Sequence, residues 1–112
     1  MTTCKRGDIV LISFVFADEK GVKKRPALVV NSDPYQSGRQ ELIVAAITSN
    51  VDRMLTGDYR IKMWEDAGLP LPSVITGIIR TIKQNMVVRT LGTLPSPERR
   101  AFDKNLKLVL SL

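Results

Sequence analysis

Short apolar stretches separated by polar or glycine-containing breaks make up most of the chain. Residues 9–16, 27–30 and 41–47 are almost entirely apolar and rich in β-branched side chains, which is typical of strands buried on much of both faces. The polar residues 17–21 separate the first two stretches and indicate the loop of a β-hairpin. The pattern therefore predicts a sheet with a hydrophobic centre.

The middle of the chain carries a weaker pattern. Residues 57–61 alternate polar with apolar and predict a half-exposed strand, and residues 63–67 predict a short helical turn that ends at Gly68 and Pro70. Residues 73–79 and 86–91 are predicted as two further strands.

The last segment has the spacing of a helix. Ser96 is predicted to cap it, Pro97 suits the first helical position, and Glu98 lies near the positive end of the helix dipole. An apolar stripe at helical spacing would cover the sheet; it consists of Phe102, Leu106, Val109 and Leu110.

These elements predict one domain over residues 1–112, mainly β (α+β), with antiparallel strands in a small barrel or strongly curved sheet and a C-terminal helix packed on it. No internal repeat or linker interrupts the order. A chain of 112 residues, 44% of them hydrophobic, is long enough for one core and too short for two ordinary domains.

Composition narrows the possible chemistry. The formal charge of +6 favours a polyanionic partner such as RNA, or an acidic protein segment. With no histidine and one cysteine, Cys4, the chain excludes Ser-His-Asp and Cys-His hydrolases and makes a zinc site very improbable. No glycine-rich phosphate loop is present, and we expect no cofactor. The apolar runs are too short to span a bilayer and no signal peptide is evident, so we expect a cytoplasmic protein.

Two strand ends carry the candidate chemistry. Arg25 opens the second predicted strand, and Thr48 and Ser49 end the third, so a permanently charged guanidinium and two hydroxyls are available to an anion such as phosphate. Each assignment has a structural alternative. Thr48 would serve as a strand-end cap that bonds its own backbone, and Arg25 would form a surface ion pair with Asp18 or Glu19.

The order of short motifs resembles the MazF/PemK toxins, endoribonucleases of bacterial toxin–antitoxin pairs. The matching pieces run over nearly the whole chain. They are Arg6-Gly7-Asp8-Ile9-Val10, Arg25-Pro26-Ala27-Leu28-Val29-Val30, Ala45-Ala46-Ile47-Thr48, Ser73-Val74, Ile79-Arg80-Thr81-Ile82 and Leu91-Gly92.

The resemblance implies an SH3-like β-barrel, a homodimer, and metal-independent cleavage of single-stranded RNA such as mRNA at short sequence motifs. It also implies a cognate antitoxin that competes with RNA, and DNA binding by the toxin–antitoxin complex. The products would be a 2′,3′-cyclic phosphate and a 5′ hydroxyl. The family's catalytic arginine and threonine fall on Arg25 and Thr48. The expected RNA-binding residues are Lys23, Lys24, Ser49, Asn50, Arg53 and Arg80.

The general base is the point at which the chain departs from its relatives. Several relatives carry an acidic residue shortly before the sequence that matches Ile79-Arg80-Thr81-Ile82, and residues 73–80 here contain none. Glu19, one position away from the functional glutamate that some relatives have in the first loop, is the nearest candidate. A barrel that retains only RNA or antitoxin binding is therefore the alternative, and a gyrase-directed toxin of the same fold is a third. Arg80 would bind phosphate or form an ion pair across a dimer interface.

RNA binding also needs exposed aromatic surfaces on which bases stack. Among the six aromatic residues, Tyr35 and Trp64 are the best candidates for exposure, with burial as the alternative for both.

Overall fold

A computed structural model describes residues 4–15 and 22–112 of the chain. The strands are β1 (Asp8–Val15), β2 (Val22–Val29), β3 (Glu41–Thr48), β4 (Tyr59–Arg60), β5 (Val74–Lys83) and β6 (Val87–Thr93). Two helices, α1 (Asp33–Gln36) and α2 (Ser96–Leu110), and a 3-10 turn (Gln84–Met86) complete the described elements.

The six strands form one antiparallel sheet in the order β4-β5-β3-β2-β1-β6. The predicted β1–β2 hairpin is confirmed, and so is the mainly β class with a C-terminal helix. Over residues 4–15 and 22–112 the sheet remains open at β4 and β6 instead of closing into a barrel. Two strands are longer than the pattern predicted, because exposed polar residues extend β2 and β5 beyond their apolar centres.

Strand alternation divides the interior into two clusters of buried side chains. On β3, Ala45 and Ile47 belong to the first cluster, whereas Leu42 and Val44 belong to the second. Phe102 of α2 is completely buried in the first cluster, so the helix covers that face of the sheet. The second cluster, on the other face, consists of Cys4, Val10, Ile12, Ala27, Val29, Leu42, Val44 and Ile82.

The C-terminal helix corrects three details of the prediction. Pro95 occupies the N-cap, so Ser96 is the first helical residue and makes no side-chain cap bond. Pro97 is therefore the second helical residue and not the first. Leu110 is 51% exposed and does not continue the buried stripe. Glu98, for which the sequence indicated only a place near the helix start, is buried.

In the ranges 4–15 and 22–112 neither helix is long and apolar enough to cross a membrane.

Candidate active site

Strand register brings Arg25 and Thr48 to the same place. Ala27 of β2 pairs with Ala46 of β3, and these strands are antiparallel. Arg25 lies two residues before Ala27, and Thr48 lies two residues after Ala46. Side chains alternate with a period of two, so both lie on the same face of the sheet. In this register the two residues are directly opposite each other on the neighbouring strands. The sequence prediction that a guanidinium and a hydroxyl from two strands share one site is consistent with this geometry.

Both residues line a pocket of about 560 Å³, which we call the main pocket. Arg80 joins them from β5, where it pairs with Val44. The main pocket is lined by Lys24, Arg25, Pro26, Ala27, Val44, Ala46, Ile47, Thr48, Ser49, Leu69, Pro70, Leu71, Ser73, Ile78 and Arg80.

A smaller recess of about 230 Å³, the side pocket, adjoins the main pocket and shares Thr48 and Ile78 with it. It is lined by Thr48, Asn50, Arg53, Leu55, Asp58, Thr76 and Ile78. Five of the nine predicted site residues line the main pocket. They are Lys24, Arg25, Thr48, Ser49 and Arg80.

The remaining predicted residues are placed differently. Asn50 and Arg53 line the side pocket together with Thr48. Lys23 is exposed and lines neither pocket. Glu19 lies outside the described residues, as does Asp18, so the proposed ion pairs of Arg25 with these carboxylates do too.

The Thr48 hydroxyl has a defined orientation. Its oxygen accepts a hydrogen bond of 3.1 Å from the backbone N–H of Asn50, which is the strand-end cap that the sequence offers as its alternative role. A hydroxyl has one proton to donate besides its acceptor sites. Capping therefore orients Thr48 and leaves its proton available to an oxygen atom in the pocket.

Charge in the main pocket is of one sign. Three cationic side chains, Lys24, Arg25 and Arg80, line it, and the described lining includes no aspartate or glutamate. Clefts lined by one sign of charge raise the local concentration of oppositely charged ligands. The main pocket is therefore suited to an anion.

A bulge in β5 contributes residues to both pockets. Between the pairs Ala45–Ile79 and Ile47–Ile75 the register shifts, so that three residues of β5 face the single residue Ala46. Thr76 fills the irregularity because its hydroxyl donates to the Ala46 carbonyl at 2.7 Å. Bulges re-aim neighbouring side chains, and here Ile78 reaches both pockets. The bulge was not predicted from the sequence, although a glycine within a strand pattern, here at position 77, is a signal for one.

The segment between β4 and β5 forms one wall of the main pocket, which we call the anchored wall (residues 61–73). Its ends are joined by a hydrogen bond of 3.0 Å from Ile61 N to the Ser73 carbonyl. The predicted turn over residues 63–67 is present, and Gly68 ends it with a φ of +85°. Leu69, Pro70 and Leu71 face the pocket, so this wall is apolar.

Glu98 attaches the anchored wall to α2. Its buried carboxylate accepts hydrogen bonds from the Tyr59 hydroxyl at 2.9 Å, from Met63 N at 3.0 Å and from Lys62 N. Burial and the hydrogen bond from its hydroxyl to Glu98 raise the pKa of Tyr59 to about 12. The helix pattern placed Glu98 at the helix start but could not indicate these partners, because they come from a segment far away in the chain.

Two glycines provide a second attachment. A Cβ atom on Gly68 would lie 2.1 Å from the Leu91 carbonyl oxygen, and one on Gly92 would lie 2.3 Å from the Ala67 carbonyl oxygen. Real Cβ atoms do not approach other atoms so closely. The anchored wall therefore touches β6 backbone to backbone, at a crossing that has no room for a side chain.

The two candidate aromatic residues lie outside the described pockets. Tyr35 is half-buried, with the Arg39 guanidinium 4.3 Å from the centre of its ring. Trp64 is half-buried against the first core cluster. The described residues contain no group of three or more histidine, cysteine, aspartate or glutamate side chains that could hold a metal ion.

The chain is similar to known proteins in sequence and in fold. The sequence model of a family described as PemK-like, MazF-like toxin of type II toxin-antitoxin system matches residues 5–110. Among curated proteins, Endoribonuclease MazF2 of Mycobacterium bovis and Endoribonuclease MazF6 of Mycobacterium tuberculosis are each 33% identical over 93 residues. The match covers 80% of this chain and 81% of each relative.

Solved structures show the same fold. The Mycobacterium tuberculosis toxin MazF-mt6 has a TM-score of 0.74 and 25% identity, covering 94% of this chain and 97% of that one. A MazE-MazF crystal structure from Deinococcus radiodurans contains a chain with a TM-score of 0.82 at 16% identity, covering 100% of this chain and 99% of that one, which supports the fold alone. From the family match over nearly its whole length, the chain belongs to the PemK-like, MazF-like toxins of type II toxin–antitoxin systems.

Proposed function

We propose that the protein is an endoribonuclease toxin that cleaves single-stranded RNA, including mRNA, at short sequence motifs without a metal ion. The observation that carries this proposal is the presence of Arg25 and Thr48 on one sheet face in one cationic pocket. The names of the curated relatives, which are endoribonucleases, support the reaction class.

In the proposed reaction the ribose 2′ oxygen attacks the adjacent phosphorus. The O2′–P bond forms and the P–O5′ bond breaks, which leaves a 2′,3′-cyclic phosphate and a 5′ hydroxyl. The 2′ proton goes to a base, and the leaving oxygen takes a proton from solvent or from the protonated base. Negative charge accumulates on the nonbridging oxygens in the transition state, where a preplaced guanidinium stabilises it. Arg25 is assigned this role.

Thr48 is assigned to orientation. The hydrogen bond from Asn50 N holds its oxygen, so its proton is directed to a nonbridging oxygen or to the attacking hydroxyl. Ser49, next to it in the lining, supplies a second hydroxyl. Glu19 is the proposed base. The remaining cations are assigned to binding the RNA strand: Lys23, Lys24, Arg53 and Arg80.

We extend the proposal to the partners and the cellular location. A cognate antitoxin with an acidic segment would compete with RNA for the main pocket, as the cationic lining favours. Related structures are described as complexes of an endoribonuclease with its cognate antitoxin and of MazE with MazF. A homodimer in the cytoplasm, where mRNA is translated, completes the proposal.

The test is cleavage of a defined RNA in excess EDTA, with both new ends identified by chemical mapping. We expect cleavage to persist and to leave cyclic phosphate and 5′-hydroxyl ends. A requirement for divalent metal, or 5′-phosphate products, would contradict the mechanism.

One observation favours a second candidate, a binding module with little or no turnover. The described lining of the main pocket contains no carboxylate that could act as the base. Induction of the chain in bacteria separates the two candidates, since an active toxin arrests growth and a binding module does not. Glu19→Gln serves as the companion variant, and it should abolish arrest if Glu19 is the base.

A further inference from the structure

The side pocket lies directly beside the proposed scissile phosphate. Thr48 and Ile78 line both pockets, so the two pockets are adjacent and share two side chains. Its volume of about 230 Å³ falls below that of pockets for drug-sized ligands, which begin near roughly 300 Å³. The recess is therefore suited to a single small ring system.

A fixed carboxylate lies on one side of this recess. Asp58 Oδ1 accepts from Gly77 N at 3.0 Å, and Asp58 Oδ2 accepts from Leu55 N at 3.0 Å. A carboxylate offers about four acceptor positions, so the two backbone bonds orient Asp58 and leave further acceptor capacity. The side pocket thus presents an acceptor-only group whose position is set by β5 and the preceding loop.

Donor groups lie in the same lining. Arg53 is exposed, and no ion pair or hydrogen bond joins its guanidinium to another residue within 4–15 and 22–112. Asn50 uses its Oδ1 to accept from Asp52 N, and its Nδ2 is a donor. Leu55 and Ile78 are 58% and 55% exposed and supply apolar surface for the faces of a ring.

Guanine matches this arrangement better than the other bases. It has two adjacent donor groups, N1–H and the N2 amino group, which suit one carboxylate. It also has two acceptors, O6 and N7, which suit an arginine fork. Adenine, cytosine and uracil each lack this pair of adjacent donors. We propose that the side pocket binds the guanine of a nucleotide flanking the cleaved bond, with Asp58 and Arg53 as specificity-determining residues. This inference rests on the proposed function.

The first experiment uses the unmodified protein. Binding of 2′-O-methyl pentanucleotides, which cannot be cleaved by 2′ attack, is measured by fluorescence anisotropy at one fixed salt concentration. Each oligonucleotide carries guanine at one position in an otherwise uracil sequence. We expect guanine at one position to bind about 10-fold more tightly than adenine, cytosine or uracil there.

Base analogues then identify the edges of guanine that are recognised. Inosine lacks the N2 amino group, and 7-deazaguanine lacks the N7 acceptor. At the sensitive position we expect inosine to bind about 10-fold less tightly than guanine, because it loses a hydrogen bond to a charged group. We expect 7-deazaguanine to bind about threefold less tightly.

Two variants assign these losses to residues. Arg53→Gln should remove the discrimination against 7-deazaguanine and retain that against inosine. Asp58→Asn should do the reverse. A general loss of structure would not separate the two analogues. Arg53→Gln, at an exposed position, keeps the test valid if Asp58→Asn does not fold.

Equal binding of all four bases at every position, or of guanine and inosine at the sensitive position, would overturn the inference. The two proposals fail separately. RNA cleavage without a guanine preference leaves the proposed function intact and rejects the guanine site. A guanine preference in a protein that cleaves no RNA supports the guanine site and rejects the proposed function.

Discussion

The main pocket has two walls that are built in opposite ways. The cationic wall consists of Lys24, Arg25 and Arg80, all exposed side chains projecting from strands. The anchored wall, residues 61–73, is apolar towards the pocket and is held from behind by the buried Glu98 and by the backbone crossing at Gly68. The cationic wall carries the charge of the pocket, and the anchored wall forms a fixed apolar surface.

Because of this difference, the residues expected to affect activity are not those expected to affect stability. Exposed cations contribute little to folding, because solvent screens their interactions. A buried carboxylate with three donors contributes through groups that would otherwise be unpaired. Substitutions in the cationic wall should therefore affect activity with little loss of stability, and substitutions behind the anchored wall should affect stability first.

The largest effect is expected at Arg25. Arg25→Ala should lower the RNA cleavage rate by about 10²–10³-fold, because one preplaced donor to the transition state is lost. The free energy of unfolding should change by less than about 0.5 kcal/mol. Single-turnover cleavage and urea denaturation measure the two quantities. Arg60→Ala is the matched control, since Arg60 is an exposed arginine of β4 that lines neither pocket. An Arg25→Ala protein as active as the parent would reject the site.

Glu98 should give the largest stability effect. Glu98→Ala leaves the Tyr59 hydroxyl and two backbone N–H groups without their acceptor, so the free energy of unfolding should fall by about 3 kcal/mol. Glu98→Gln retains one acceptor oxygen and should lose about half as much. Urea denaturation provides the comparison, with the exposed Glu65→Ala in the same wall as control. Equal loss in the Glu98→Ala and Glu65→Ala proteins would contradict the role of Glu98.

A substitution at Gly68 tests the backbone crossing between the anchored wall and β6. Gly68→Ala should lower the free energy of unfolding by about 2 kcal/mol or more, because φ is positive and the new Cβ meets the Leu91 carbonyl. Gly38 is a close control, with a φ of +76° and no atom within 4 Å of the place that a Cβ would occupy. Gly38→Ala should cost only about 1 kcal/mol, from φ alone. Urea denaturation of both variants is the measurement, and similar losses would show that the close approach has no energetic role.

The smallest effect is a pH dependence from Tyr59. Its pKa is raised to about 12 in the folded protein, against an ordinary value of 10.0. The unfolded chain therefore loses this proton first as pH rises. The stabilisation is complete below about pH 10 and is lost between about 10 and 12. Urea midpoints across this range should fall more steeply for the parent than for Tyr59→Phe. Parallel curves would contradict the pairing with Glu98.

The strands and the helix that are specified by hydrophobic periodicity were predicted correctly from the sequence. The apolar runs of β1 and β3 and the spacing of Phe102 and Leu106 follow from side-chain periodicity, so they were found to within a few residues. The prediction that Leu110 packs on the sheet was wrong, because periodicity does not show where the sheet beneath a helix ends.

Some residues of the candidate site were predicted from the sequence and others were not. Arg25 and Thr48 were predicted together from motif order, and antiparallel register then accounts for their proximity. In the side pocket, Asn50 and Arg53 were predicted as RNA-binding residues, but Asp58 was missed because its position depends on long-range contacts. Asp58 reaches Gly77 across nineteen positions of chain, and no local pattern marks that pair.

The crossing at Gly68 and Gly92 also couples the evolution of two distant positions. Each glycine faces the backbone beside the other, so one spacing between the two chain segments serves both. Once a methyl group at either position has forced the backbones apart, a second methyl group opposite meets a gap that is already open. The double alanine variant therefore costs less than the sum of the single ones. A lineage that loses Gly68 is released from keeping Gly92, whereas the φ of +85° still favours glycine at position 68.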